Sequence, residues 1–349
     1  MAIKKKRDLF IIVIIKKIII RIKNVISDNK YFAWYIKTPK RNRVLKKNLE
    51  RYYNNVKDNQ DYSKAVICMY EGANAGGLAD RLKGIIGVYY IAKKRGLPFR
   101  IYFNDPFPLD EYLVPNTYDW RISEKDICRD LSSISLVLLD NAQDSKYVTN
   151  KQRKYLEKKI RIEKKQTHVY TSSSYAYDVN YAELFGELFK PSVKLQESID
   201  RNMKNLNGNY VSISCRFLNL LRDFNETWET GIYLTEEERE DLFQRIMHVI
   251  ENIHKKNYGK KILINSDSVT FLKAFDKLDF TYVIPGNVTH IDAKQEEYSY
   301  EKYEKTFLDF LMIANADEIY LIKSKEMYKS GYPYAASKIY DKKFNLIEI

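Results

Sequence analysis

Ala65-Val-Ile-Cys-Met-Tyr70, then Glu71 to Gly77, then Leu78 to Lys94, then Gly96 and Phe99 to Phe103: this stretch decides the fold. The first six residues are apolar without alternation, which predicts a buried strand. A glycine-containing loop follows. Leu78, Leu82, Ile85, Ile86, Tyr89 and Tyr90 then recur at helical spacing on one side of the next segment. Gly96 supplies the stop, and Phe99 to Phe103 reads as a second strand. Strand, loop, helix and strand together form the building block of a parallel sheet.

The same alternation continues on the C-terminal side. Further strands are expected at Ser135 to Leu139 and His168 to Thr171. A second series falls at Tyr210 to Phe217, Lys261 to Asn265, Tyr282 to Pro285 and Glu318 to Ile322. Helices separate its members. Thr235 precedes a helix opening at Glu236 and has Glu238 three residues on, a capping box. Tyr303 to Ala316 and Tyr334 to Tyr340 read as the later helices. The expected class is therefore α/β, with a basic arm and linker over 1–61, a first α/β domain over 62–205 and a doubly wound second domain over 206–349. Residues 180–207 are expected to bridge the two domains. Ligands are expected outside the carboxyl ends of the second domain's strands.

The 349-residue chain is 45% hydrophobic, enough for a sizeable core. Its net charge of +13 is local: residues 1–57 hold seventeen Lys/Arg against three acids, a net of +14, which leaves the remainder at −1. No zinc-finger spacing or RNA-binding aromatic motif accompanies that charge, so nucleic acid is excluded as a partner. Leu9 to Ile15 carries no charge, Lys16 and Lys17 interrupt, and Ile18 to Ile20 follow. The run is too short to span a bilayer, and no small-residue cleavage site follows it. A basic amphipathic helix on an anionic membrane surface, formed by residues 1–26, fits that pattern; the alternative is a helix packed on its own domain. The corresponding location is cytoplasmic, at the inner face of the membrane. Cys68, Cys128 and Cys215 are too few and too scattered for a disulfide framework or a metal cluster. The 29 tyrosines suit a carbohydrate cleft, or equally a Lys/Asn/Ile/Tyr-rich composition.

Four segments carry candidate chemistry. Asn74-Ala-Gly76-Gly77-Leu-Ala-Asp80-Arg81 joins strand to helix, where glycines admit a close ligand and a helix N-terminus favours anions; a tight turn with a surface Asp-Arg pair is the plain alternative. Val211 to Phe217 is an apolar strand ending in Arg216, a fork suited to a diphosphate, with Asn219, Arg222 and Asp223 following. A salt bridge between Arg216 and Asp223 or another carboxylate is its structural counterpart. Ser266-Asp267-Ser268 ends the next strand and reads either as an N-cap or as a ribose or base contact. Ser330 and Gly331 precede the last helix and could hold a phosphate there. Among the four histidines only His290, after a strand, falls in a cleft loop. There is no Asp-x-Asp pair for a metal-bound nucleotide sugar, no P-loop and no Gly-x-Ser-x-Gly elbow.

Gly76 to Ile85 resembles the Gly-Gly-Leu-(Gly/Ala)-(Asn/Asp)-Arg stretch of fucosyltransferases, namely the nodulation-factor, α-1,6, α-1,2 and protein O-fucosyltransferases. Arg216 falls where that group has the first arginine of His-x-Arg-Arg-x-Asp. Ser266-Asp-Ser268 and Ser330-Gly-Tyr-Pro-x-Ala-Ala are similar to its later motifs, in the same order over residues 65–340. The resemblance implies a GT-B-like pair of Rossmann-like domains facing a cleft. It also implies inverting, metal-independent transfer of fucose from GDP-fucose to a glycan acceptor in surface polysaccharide or glycolipid synthesis, with no cofactor beyond the donor substrate. Carried over, Arg216 would neutralise the pyrophosphate, Asp267 would contact the nucleoside and Ser330 a phosphate; together with the positions read above, the candidate set is Arg216 and Asp223 as catalytic, with Asn219, Arg222, Ser266, Asp267, Ser268, His290, Ser330 and Gly331 on the donor. Asn74, Gly76, Gly77, Asp80 and Arg81 would border the cleft from the first domain. The sequence departs from the pattern: the motif's histidine is Ser214, its second arginine Phe217 and its acid Asn219, with Arg222 and Asp223 as shifted substitutes. A glycosyltransferase with another GDP-sugar and a non-catalytic, membrane-associated glycan-binding protein are the alternatives.

Overall fold

The computed structural model describes residues 52, 61–71, 76–139, 146–160, 164–171, 176–223, 233–286, 289, 291 and 298–349. The basic arm, most of the linker, Asn74 and His290 lie outside the described residues. Among those described, no helix is long and apolar enough to cross a membrane.

The opening unit folds as the sequence dictates. Strand β1 (Ala65–Tyr70) leads through the glycine loop into helix α1 (Leu78–Lys94) and back to β2 (Phe99–Phe103). Short β3 (Leu113–Pro115), then β4 (Ile134–Leu139), α2 (Lys146–Lys159) and β5 (Gln166–Thr171) follow. The four longer strands form one parallel sheet in the order β2-β1-β5-β4. Residues 180–207 are more structured than a bridge: they contain α3 (Tyr181–Leu188), β6 (Phe189–Pro191) and α4 (Val193–Asn205). Antiparallel pairing of β6 with β3 ties this segment back to the first half of the chain.

The second half runs β7 (Tyr210–Cys215), α5 (Glu236–Lys256), β8 (Lys261–Ser266), α6 (Val269–Phe275), β9 (Thr281–Tyr282), α7 (Tyr300–Asn315), β10 (Glu318–Lys323), α8 (Tyr332–Ser337) and β11 (Lys343–Glu348). Thr235 and Glu238 close the expected capping box of α5. The sheet order is β11-β10-β7-β8-β9, all parallel. Read from β9, this is the 3-2-1-4-5 order of a Rossmann-type sheet, whose crevice opens at the carboxyl edge beside its first strand.

Among the described residues three apolar clusters form, and the largest is shared by both sheets. Phe107 and Tyr112, between β2 and β3, pack on α7: Tyr112 stacks on Phe307 at 4.4 Å and on Tyr300 at 4.8 Å. Helix α8 packs in turn on α1. Consequently α1 is enclosed almost all round, with Arg81 and Lys83 buried as well as the expected apolar face. That contact brings the N-terminus of α1 over the carboxyl edge of the second sheet. All three cysteines are buried free thiols.

Candidate active site

A cleft of about 770 Å³, including its open mouth, lies between the two halves. Gly77 and Leu78 at the start of α1 form one wall. Ser214, Cys215 and Arg216 from the end of β7, and Asn265, Ser266 and Asp267 from the end of β8, form the opposite wall. Lys305, Thr306 and Asp309 on α7, with Ser330 and Tyr332, add to it, as do Thr289, Ile291 and Pro333. This is where an open α/β sheet is expected to bind a ligand.

Asp267 shapes the arginine's position. Its carboxylate accepts the Phe217 amide at 2.9 Å and the Leu218 amide at 2.8 Å. Those two bonds end β7 at Cys215, two residues earlier than expected, and bend the chain through Leu218, whose φ is +54°. Burial pushes the Asp267 carboxyl above its usual range, while Arg216 and the two amides pull the other way. Arg216 Nε stands 3.9 Å from Asp267 Oδ2, and the guanidinium lies over the Tyr328 ring at 5.9 Å. Both oxygens of Asp267 are thus committed to backbone, a bracing task that the sequence did not suggest. Ser266, the last residue of β8 and part of the wall, accepts the Ser268 amide at 3.1 Å.

Several candidates are not brought to the cleft wall. Asp223 Oδ2 accepts from Ser268 Oγ at 2.7 Å and from the Thr270 amide at 2.7 Å. Ser268 Oγ in turn accepts the Phe271 amide at 3.0 Å, so Asp223 and Ser268 cap α6 instead of lining the cleft. Arg222 is exposed, lies over Tyr233 at 5.0 Å and is not in the wall. Asn219 is buried behind the wall, and its Oδ1 has no partner among the described residues. Gly331 caps a helix of only six residues and is not in the wall, whereas neighbouring Ser330 is, its Oγ accepting the Tyr332 amide at 3.3 Å.

The first half contributes differently from the expectation of a surface Asp-Arg pair. Arg81 is 2% exposed: its Nε donates to the Gly76 carbonyl at 2.8 Å and its Nη1 to the Asp105 carbonyl at 2.7 Å. Held over Tyr70 and Phe103, it staples the glycine loop to the turn after β2. Asp80 pairs with Lys83 at 3.1 Å rather than with Arg81. Gly76 has φ +115°, a conformation that side chains resist.

Sequence reading missed the α7 wall. Lys305 and Asp309 look like an ordinary i,i+4 surface pair. The signal was Asp309 interrupting the apolar run Phe307 to Ala314, which is otherwise buried throughout. Ser214, which stands in place of the motif's histidine, has a buried Oγ with no partner among the described residues and lies in the wall. Among the described residues no group of His, Cys, Asp or Glu could hold a metal ion.

No protein-family model and no curated protein matches the sequence. Solved structures align with the chain over most of its length. The α-1,6-fucosyltransferase NodZ soaked with GDP-fucose aligns at TM-score 0.48 and 10% identity over 79% of this chain and 92% of its own. A mutant of Arabidopsis thaliana FUT1 in complex with GDP aligns at TM-score 0.47 and 12% identity over 91% of this chain and 79% of its own. POFUT1 in complex with GDP aligns at TM-score 0.46 and 11% identity over 83% and 99%. At such scores and identities the likeness carries no chemistry over to this chain.

Proposed function

We propose that this chain is a glycosyltransferase that binds a nucleotide sugar in the cleft, with GDP-fucose as donor and a glycan as acceptor. The observation that carries the reading is Arg216, at the carboxyl end of β7 in the cleft wall, opposite Gly77 and Leu78 at the start of α1. A diphosphate in the cleft meets that guanidinium. When the sugar leaves, negative charge gathers on the β-phosphate, and an arginine aimed there stabilises the transition state more than the bound donor. The carboxylate of Asp309 suits the N–H edge of a purine such as guanine. The ordered motifs shared with fucosyltransferases support fucose, and direct displacement by an acceptor hydroxyl gives inversion. Without an Asp-x-Asp pair, arginine takes the place of a metal ion, so transfer is expected to persist in excess chelator.

The test is a donor panel: GDP-fucose, GDP-mannose, UDP-sugars and buffer alone, read by thermal shift and by sugar-nucleotide hydrolysis, with and without chelator. A shift and turnover with GDP-fucose are expected. A response to another GDP-sugar alone corrects the donor, and no response to any nucleotide overturns the reading. Arg216→Ala is expected to lower kcat about 100-fold or more, by analogy with losing an oxyanion-hole donor, and Arg216→Lys to fall between. If Arg216 only balances Asp267, Arg216→Ala lowers stability and spares turnover.

A further inference from the structure

We infer that Lys305 is a positioning residue of the cleft, its buried ammonium fixing the Asp309 carboxylate as an anion turned toward the ligand. The inference rests on the reading of the cleft as a nucleotide site. Lys305 is 7% exposed, and its Nζ donates to the Ile284 carbonyl at 2.9 Å and to Asp309 Oδ1 at 2.9 Å. Its stem fills the space beside Gly286, where φ is +122° and a Cβ would come within 3.2 Å of Lys305 Cδ. Ile284 and Gly286, just after β9, therefore both lie against this side chain. A buried ion pair adds little stability over apolar residues of similar volume, so stability alone is a weak reason for one here. Both members line the cleft.

Three charged or titratable groups surround the carboxylate. Lys305 lies one turn away on α7. Tyr332 comes from α8, its hydroxyl donating to the Thr306 carbonyl, and burial keeps that phenol well above its ordinary range, with Asp309 raising it further and Arg216 opposing. Arg216 faces in from the end of β7. Burial also raises the Asp309 carboxyl, and Lys305 is the group that opposes this by charge and hydrogen bond. Removing Lys305 leaves burial unopposed. Asp309 then takes up a proton at higher pH, and a ligand that needs the anion is lost sooner as pH falls.

The experiment measures GDP affinity and melting temperature from pH 5.5 to 8.5 for the wild type, Lys305→Met, Lys305→Arg, Asp309→Asn and the Lys305→Met/Asp309→Asn double variant. In Lys305→Met the acid limb of binding is expected to move up by about one pH unit or more, an extra loss of roughly tenfold at the acid end. Asp309→Asn should bind weakly and without that limb, and the double variant should match it. Lys305→Arg keeps the charge and should keep the wild-type limb, which preserves the pH readout if the methionine variant fails to fold. Any one of three results overturns the inference: a Lys305→Met profile parallel to wild type, a Lys305→Arg limb moved like that of a charge-removing variant, or losses that add in the double variant. A wild type that binds no GDP at any pH overturns the nucleotide reading and this inference together.

Discussion

Each of the two sheets buries a carboxylate near its carboxyl edge with an arginine beside it, and the two pairs are built in opposite ways. In the first half Arg129 grips Glu71 bidentately, at 2.7 and 2.7 Å, with 11% and 4% of the two side chains exposed. Tyr170 donates to the same carboxylate, and Arg129 lies over the Tyr52 ring at 5.1 Å. Tyr52 reaches on to His168, whose ring burial holds down to about 3 and therefore neutral. In the second half Asp267 is committed to two backbone amides, and Arg216 stands 3.9 Å off in the cleft wall, 24% exposed. One arginine is consumed by its carboxylate and supports the fold. The other is kept near its carboxylate and lines the cleft. A planar fork has five donors, so the partner's geometry decides how many remain for another anion.

The largest expected effect falls on the first pair. Arg129→Met strands Glu71 as an uncompensated buried charge, and losses of this kind cost about 3–5 kcal/mol. Urea unfolding should show that loss, with GDP affinity per folded molecule near wild type. A stability change within a few tenths of a kcal/mol would show that the pair is solvated in solution. Asp267→Asn is expected to be milder. It turns a donor toward one of the Phe217 and Leu218 amides, at about 1–3 kcal/mol for an unsatisfied buried group. Unlike Arg129→Met, it should also weaken nucleotide binding, because the turn that carries Arg216 loosens. Equal effects on binding from the two variants would erase the distinction between a structural and a ligand-facing arginine.

Local patterns made much of this legible. The β1-α1-β2 unit shows in the shift from an apolar run to helical spacing at Leu78, and Arg216 shows as a charge ending an apolar strand. What stayed hidden depends on contacts between distant segments. β11 carries Lys343, Asn345 and Glu348 along an edge, too polar to stand out. α2 has few apolar residues beyond Tyr155 and Leu156. β6 exists because β3 pairs with it from 70-odd residues earlier. Asp223 reads as a cleft acid until the loop is seen folding back onto α6, and Lys305 and Asp309 read as surface charges until Phe107 and Tyr112 cover their helix.

The smallest expected effect on stability separates two adjacent glycines. Gly76 sits at φ +115° and needs to be glycine for its backbone. Gly77 does not: its φ is −67° and ψ 174°, and a Cβ there would meet nothing within 4 Å. It is also the N-cap of α1 with no side-chain hydrogen bond, a position where serine exceeds glycine by a few tenths of a kcal/mol. On stability grounds alone Gly77→Ser is neutral or slightly favourable. Yet Gly77 lines the cleft, and a side chain there takes space from whatever lies against the start of α1. The expected result is an unchanged or slightly raised melting temperature together with GDP affinity lower by on the order of tenfold, about 1.4 kcal/mol. A Gly77→Ser protein that binds GDP as tightly as wild type would mean that the ligand stays clear of α1, leaving the second sheet to hold the nucleotide alone.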